Sequence, residues 1–388
     1  MPIKNRFAET HAEITAWRRH LHQHPELMFD LPETSKFVED KLRSFGITDI
    51  TTGIAQTGVV AVIEGQSNRS NRTIGLRADM DALPIMEATG LPYASKTPGK
   101  MHACGHDGHT AMLLGAAQYL AETRNFDGRV VLIFQPAEEG GGGGNVMVQE
   151  GLMDRWDIDE VYGMHNMPGH PTGHFAIREG ALLAAADEFN ITLTGQGGHA
   201  AAPHEAIDTN LAAAHVLIAL QSIASRNTDP LKQVVVSVCT LRSDTDSHNV
   251  LPHQVLLRGT VRTLDPAVQD LAEQRLHDLT RLTAEAHQCK AEIDYQRGYP
   301  VTRDHSDHTR YAAEAADKVT PGTDRDTAPI MAGEDFSYML NARPGAYIMI
   351  GNGEGATVHH PEYDFDDAAI PAGCSWFAQV VEDRLARA

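Results

Sequence analysis

The chain has 388 residues, 42% of them hydrophobic, which is enough for two or three domains with sizeable cores. Its 32 basic and 52 acidic side chains leave a net charge of −20, which argues against nucleic acid or an anionic membrane as a partner. No stretch approaches the ~20 apolar residues of a membrane span, the N-terminus lacks the apolar core of a secretory signal, and Cys104, Cys239, Cys289 and Cys374 show no framework spacing. A cytoplasmic protein with reduced thiols is expected.

A helix is predicted from about Phe7 to Gln23, with Ile14, Trp17 and Leu21 on its apolar side and His24-Pro25 as its stop. A second follows, with Pro32 in its first turn and Gly46 just past its end. Four short apolar runs then read as buried strands: Gly58 to Ile63, Thr73 to Leu76, Val130 to Phe134 and Glu160 to Met164. Helical stretches alternate with several of them, notably Thr110 to Thr123. A largely parallel sheet covered by helices on both faces is therefore the economical architecture, an α/β fold.

Near Ala184 the pattern changes to strand, helix, strand, strand, helix, strand, over Phe189–Thr194, Ala206–Ser225, Gln233–Leu241, Gln254–Leu264, Pro266–His287 and Lys290–Gln296. That order is ferredoxin-like and is long enough to fold as its own inserted domain. The first style resumes with a helix (His308 to Lys318), a strand (Ala346 to Ile350) and a last helix (Pro371 to Leu385). The expected organisation is residues 1–186 and 298–388 forming a discontinuous catalytic domain, with residues 187–297 as the insert.

Chemistry concentrates at Met101-His102-Ala103-Cys104-Gly105-His106-Asp107-Gly108-His109. Three imidazoles, a thiol and a carboxylate in nine residues are metal-ligand chemistry, and the Cys104–His106 spacing aims two side chains at one point. At this density, a merely solvated or capping loop is the weaker reading. The predicted strands run into further polar residues: Asp79 and Asp81 after the Thr73 run, Glu138-Glu139 and five glycines after the Val130 run, His165-Asn166 after the Glu160 run. In open α/β sheets ligands bind beyond the carboxyl ends of strands, so these groups are expected to meet on one rim. Gly140 to Gly144 read as a site loop rather than a linker, since a helix follows without Pro/Ser-rich composition. In the insert, Gly195 to His204 carries two histidines among glycines and suits a polar finger closing over a site. Two late stretches, Gly333 to Ser337 and Val358-His359-His360-Pro361, also stand out.

With these motifs in order, the sequence resembles the metal-dependent aminoacylase/carboxypeptidase amidohydrolases, in the branch of hippurate hydrolases and auxin-amino-acid conjugate hydrolases. The likeness runs nearly end to end. It is carried by Arg18 to His22 with Pro25 to Leu27, Leu76 to Pro84, Met101 to His109, Gln135 to Gly140, Gly163 to His165, Gly197 to His204, Asn249 to Pro252, Gly259 to Arg262, Glu334 to Phe336, and His359 to Pro361 with Tyr363 to Phe365.

The resemblance implies a zinc-exopeptidase-like catalytic domain, an inserted lid and dimerisation domain, and two divalent ions per subunit, Mn2+ or Zn2+ with Co2+ or Ni2+ as alternatives. By position it makes Cys104, His106, Glu139, His165 and His360 metal ligands and Glu138 the catalytic base, with Asp81 supporting the catalytic site. It places His199 and Asn249 against substrate, His199 in relatives often from the partner subunit. The implied reaction is hydrolysis of small N-acyl-amino acids, with dipeptides, carboxypeptidase substrates or N-carbamoyl-amino acids as the alternative. A homodimer or dimer-based tetramer through the insert is implied as well. Asp30-Leu31-Pro32 and His253 depart from the family pattern but touch no ligand position.

Overall fold

The computed structural model describes residues 3–387, and the chain divides into two compact units. The first contains the chain up to Leu182, Arg303–Ala328 and the chain from Asp335 onward; the second contains Leu183–Thr302 and Pro329–Glu334. The expected boundaries at 187 and 297 fall inside strands Ala185–Thr194 and Lys290–Tyr299. These two strands pair with each other, Ala186 opposite Tyr299, so neither can be cut there and the unit begins and ends a few residues further out.

The first unit is built on a seven-stranded sheet with spatial order Ile50–Ile54, Gly58–Glu64, Arg129–Gln135, Thr73–Asp79, Glu160–Met167, Gly345–Gly351 and Phe175–Ala176. The four strands from Arg129–Gln135 to Gly345–Gly351 are parallel to one another, whereas pairings at both margins are antiparallel. Ile50–Ile54 was not expected. It forms a hairpin with Gly58–Glu64 through Ala55, Gln56 and Thr57, the first two of which have positive φ (47° and 74°).

Strands buried on both faces carry apolar residues at every position, as Val130 to Phe134 do. On the Glu160–Met167 strand, Tyr162 and Met164 enter a core formed with Ile14, Met112, Leu113, Trp376 and Phe377. Those residues come from helices Ile3–Gln23, His106–Thr123 and Ile370–Arg384, which pack on one another. Gly163, between the two, faces the opposite way, where an added Cβ would press into the Tyr347 ring. Among the described residues no helix is long and apolar enough to cross a membrane.

The second unit is a four-stranded antiparallel sheet with order Val234–Ser243, Gln254–Thr263, Ala185–Thr194, Lys290–Tyr299. Helices Thr209–Leu220 and Pro266–Ala286 complete the β-α-β-β-α-β order. Burial alternates along Ala185–Thr194, so Phe189, Ile191 and Leu193 enter a core with Val216, Leu220, Leu257 and Leu276 while the other face stays open. The first helix starts at Thr209 rather than Ala206, because Asp208 caps it by accepting the Leu211 N–H.

Candidate metal centre

In the first unit, the residues that follow the parallel strands converge. Gly105 has φ +87° and stands before helix His106–Thr123; a side chain there would collide with Asn166 and Tyr363. Only glycine lets the chain turn so closely, and the turn presents Cys104 and His106 on the same side. The His106 Nδ1 donates to the Asp81 carbonyl oxygen at 2.9 Å, which turns Nε2 toward the other candidate ligands. His165 is oriented in the same manner: Nδ1 donates to the Asn166 carbonyl at 2.7 Å, and Nε2 lies 3.4 Å from the Cys104 sulfur.

The glutamate corner is fixed by one carboxylate. After strand Arg129–Gln135 the chain passes through Ala137 at φ 56°, and the N–H groups of Glu138 and Glu139 donate to Asp81 Oδ1 and Oδ2 at 3.0 and 3.1 Å. His106 Nε2 then lies 4.0 Å from Glu138 Oε2, 3.9 Å from Glu139 Oε1 and 3.7 Å from Asp79 Oδ2.

His359, not His360, completes the ring. His359 has φ 66°, and this left-handed turn brings its Nε2 to 3.3 Å from Glu139 Oε1. The imidazole of His360 instead accepts the N–H of Glu362 at 3.1 Å and belongs to none of the ligand groups. Among the candidate ligand groups, His359 thus stands where the resemblance placed His360. Among the described residues five overlapping sets have potential ligand atoms within 4.8 Å of one another: Cys104, His106 and His165; Cys104, Glu139 and His359; His106, Glu138 and Glu139; and, deeper, Asp79, His106 and His109, and Glu138, Glu334 and Asp335.

Electrostatics favour a cation here. Burial, and then the carboxylates of Glu139, Glu138 and Asp79, push the Cys104 thiol well above its usual range. Burial opposes charge on His106, but Asp79 and Asp81 outweigh it and raise the group to about 10. Burial lowers His165 to about 3, so it stays neutral and ready to ligate. Burial also opposes ionisation of Glu139, yet His359 and His106 hold it below the usual carboxylate range. His106 Nε2 is buried without a hydrogen-bond partner, facing three carboxylates at distances too long for hydrogen bonds. Thiolate, imidazole and carboxylate donors around such an atom fit a divalent ion of the zinc type.

Other residues of the Met101 to His109 stretch are supports. His109 Nδ1 donates to Asp79 Oδ1 at 2.7 Å and its Nε2 accepts the Asn166 N–H at 2.9 Å, so both nitrogens are engaged. Asp107 faces away, toward His22 (2.8 Å) and Arg18 (3.5 Å). Sequence reasoning named both His359 and Asn166 but gave neither a role; Asn166 also donates to the Cys104 carbonyl oxygen and accepts from Tyr363. Its position next to His165 was the available signal.

In the second unit, His199 lies on the short strand Gly198–His199, opposite Val250 of Val250–Leu251. The Ala200 N–H donates to the Asn249 carbonyl, so His199 and Asn249 are brought together, lining a shallow groove with Gly197 and His253. His199 is exposed and its Nδ1 accepts the Ala201 N–H.

An α/β sheet with a buried thiol, imidazole and carboxylate cluster at the carboxyl ends of its parallel strands is the arrangement of a metal-binding α/β protein. The chain belongs to peptidase family M20/M25/M40, whose sequence pattern matches residues 75–383. It is similar to the hippurate hydrolase of Campylobacter jejuni, with 38% identity over 370 residues covering 95% of each chain. It is 42% identical over 359 residues to an N-acetyl-L-cysteine deacetylase of Bacillus subtilis, covering 92% of this chain and 85% of the relative. A crystal structure described as a dinuclear metal-binding peptidase of the M20 family, also from Bacillus subtilis, superposes with TM-score 0.85 at 32% identity, covering 97% of this chain and 99% of that one. The protein is a metal-dependent amidohydrolase acting on linear amides.

Proposed function

We propose that this enzyme hydrolyses N-acyl-amino acids, hippurate-like or N-acetylated, to a carboxylic acid and a free amino acid. The observation that carries the reading is the pairing of Glu138 and Glu139 on Asp81: Glu139 joins Cys104 and His359, and Glu138, buried beside it with Oε2 4.0 Å from His106 Nε2, stands next to the cluster as the proton carrier. The hydrolase and deacetylase names of the two relatives support the substrate class.

Cys104, His106, Glu139, His165 and His359 would hold two divalent ions. When bound, these supply a lowered water pKa and a polarised amide carbonyl. Glu138 takes a proton from the attacking water as its oxygen bonds to the amide carbon. It returns that proton to the amine nitrogen as the carbon–nitrogen bond breaks. His199 donates to the oxygen that gains negative charge, a role whose loss costs ~10²–10³ in turnover, and Asn249 contacts substrate beside it. The Cys104 thiolate favours Zn2+, with Mn2+ the other candidate and Co2+ or Ni2+ tolerated.

A homodimer through the inserted unit is part of the reading. Strand Val234–Ser243 stands at the margin of its sheet with Val235 and Leu241 exposed, and Leu211 and Ile218 are exposed on a helix of the same unit. The four free thiols support a reducing, cytoplasmic compartment.

The test is hydrolysis of a panel of N-acetyl, N-benzoyl, N-carbamoyl and dipeptide substrates after reconstitution with each metal. Preference for N-acetyl or N-benzoyl amino acids supports the proposal. Preference for N-carbamoyl or peptide substrates replaces it with the corresponding hydrolase on the same site.

A further inference from the structure

Behind the ligands lies a buried ionic chain that the reaction described above does not use. Arg77, on strand Thr73–Asp79, is fully buried, and its Nη1 donates to Asp79 Oδ2 at 2.6 Å while Nη2 donates to Asp335 Oδ1 at 2.9 Å. Asp335 accepts the Gln135 side-chain amide at 2.7 and 2.8 Å and the Gly144 N–H at 2.8 Å. Gln135 in turn accepts from Arg77 Nε at 2.9 Å. Asp79 holds His109 at 2.7 Å and stands 3.7 Å from His106 Nε2.

The chain therefore joins two parts of the site that are distant in sequence. One end is the histidine side, through Asp79. The other is the glutamate corner, gripped on both sides: Gln135 and Gly144 bracket Glu138-Glu139, and both are tied to Asp335. A carboxylate oxygen of Asp335 also lies within 4.8 Å of one of Glu138. Gly144 has no room for drift, since a Cβ there would meet the Asp335 carbonyl oxygen at 2.8 Å and its carboxylate at 3.1 Å. A buried charge that served stability alone could be replaced by apolar packing at little cost. Here both oxygens of Asp335 accept from Gln135, one also from Arg77 and the other from Gly144.

We propose that Asp335 is a positioning residue: through Arg77–Asp79 on one side and Gln135 and Gly144 on the other, it sets the glutamate corner at its working distance from the histidines. This deepens the proposed function and rests on it for its kinetic part only.

The experiment uses full-length Asp335→Asn and Gly144→Ala. Asn keeps the shape but offers one acceptor fewer; Gly144→Ala leaves the charge in place and pushes the corner away from it. Each variant is loaded with Co2+, and its visible absorption, Co2+ affinity, thermal melting and kcat and KM on an N-acetyl-amino acid are measured. Loss of an oriented partner behind metal ligands typically costs 10–100-fold. Both variants should lose kcat in that range with KM changed less than about threefold, and both should show a shifted Co2+ spectrum. Parental kcat and spectrum with only a lower melting temperature, in either folded variant, would overturn the proposal. Should Asp335→Asn fail to fold, Gly144→Ala decides alone. If the parent enzyme turns over no amide, the Co2+ spectrum still reports on the positioning role, so the two failures are distinguishable.

Discussion

His359 is held at φ 66°, a conformation that costs a residue with a Cβ about 1 kcal/mol relative to glycine. That strain and the ligand role can be separated by two substitutions. His359→Ala removes the imidazole and keeps the strain, whereas His359→Gly removes both. Measured in excess chelator, so that bound metal contributes nothing, the glycine variant should be the more stable by about 1 kcal/mol, or roughly 2–4 °C in melting temperature for a unit of this size. Metal affinity should fall in both by the same factor, at least about tenfold, or ~1.4 kcal/mol. His360→Ala is the control. Its ring only accepts the local Glu362 N–H, so metal affinity should stay within about twofold of the parent. Competition against a fluorescent zinc chelator gives the affinities, and urea or thermal melts the stabilities. Two results would refute the reasoning: metal loss in His360→Ala with binding kept in His359→Ala, or equal melting of the alanine and glycine variants.

Glu138→Gln should bind metal as the parent does yet lose about 10²–10⁴ in kcat, the usual worth of a general base; substantial residual turnover would remove Glu138 from that role. Gly105→Ala forces a Cβ onto Asn166 and Tyr363 at a left-handed position, so it should cost about 2–4 kcal/mol and release metal, both visible by calorimetry and metal analysis. Burial opposes charge on His22, but Asp107 and Glu87 outweigh it and raise the group to about 9, against ~6.5 in the unfolded chain. The stabilisation is thus complete below about pH 6.5 and lost as pH rises through 9. The advantage of the parent over His22→Gln in urea melts should shrink by about 3 kcal/mol from pH 6 to pH 9.5, and a gap that does not change with pH would mean that His22 is uncharged in the fold.

The repeating alternation of apolar runs and helices made the sheet and its helices readable, as did the β-α-β-β-α-β order of the insert. Hairpin Ile50–Glu64 escaped because its turn is Ala55-Gln56-Thr57, not the Asn-Gly or Asp-Gly pair that normally signals it. The motif around Cys104 and His106 was legible from density of ligand types alone. The choice between His359 and His360 was not, since it depends on one backbone angle in an irregular loop. Likewise, Arg77 and Asp335 are separated by 258 residues, and no local pattern announces a pairing that only the folded unit creates.

Asp81 divides its two oxygens between consecutive backbone amides, so the side chains of Glu138 and Glu139 start from one shared anchor. Under the proposed function the base and its neighbouring ligand then depend on the same carboxylate, and a change at Asp81 should disturb metal affinity and turnover together.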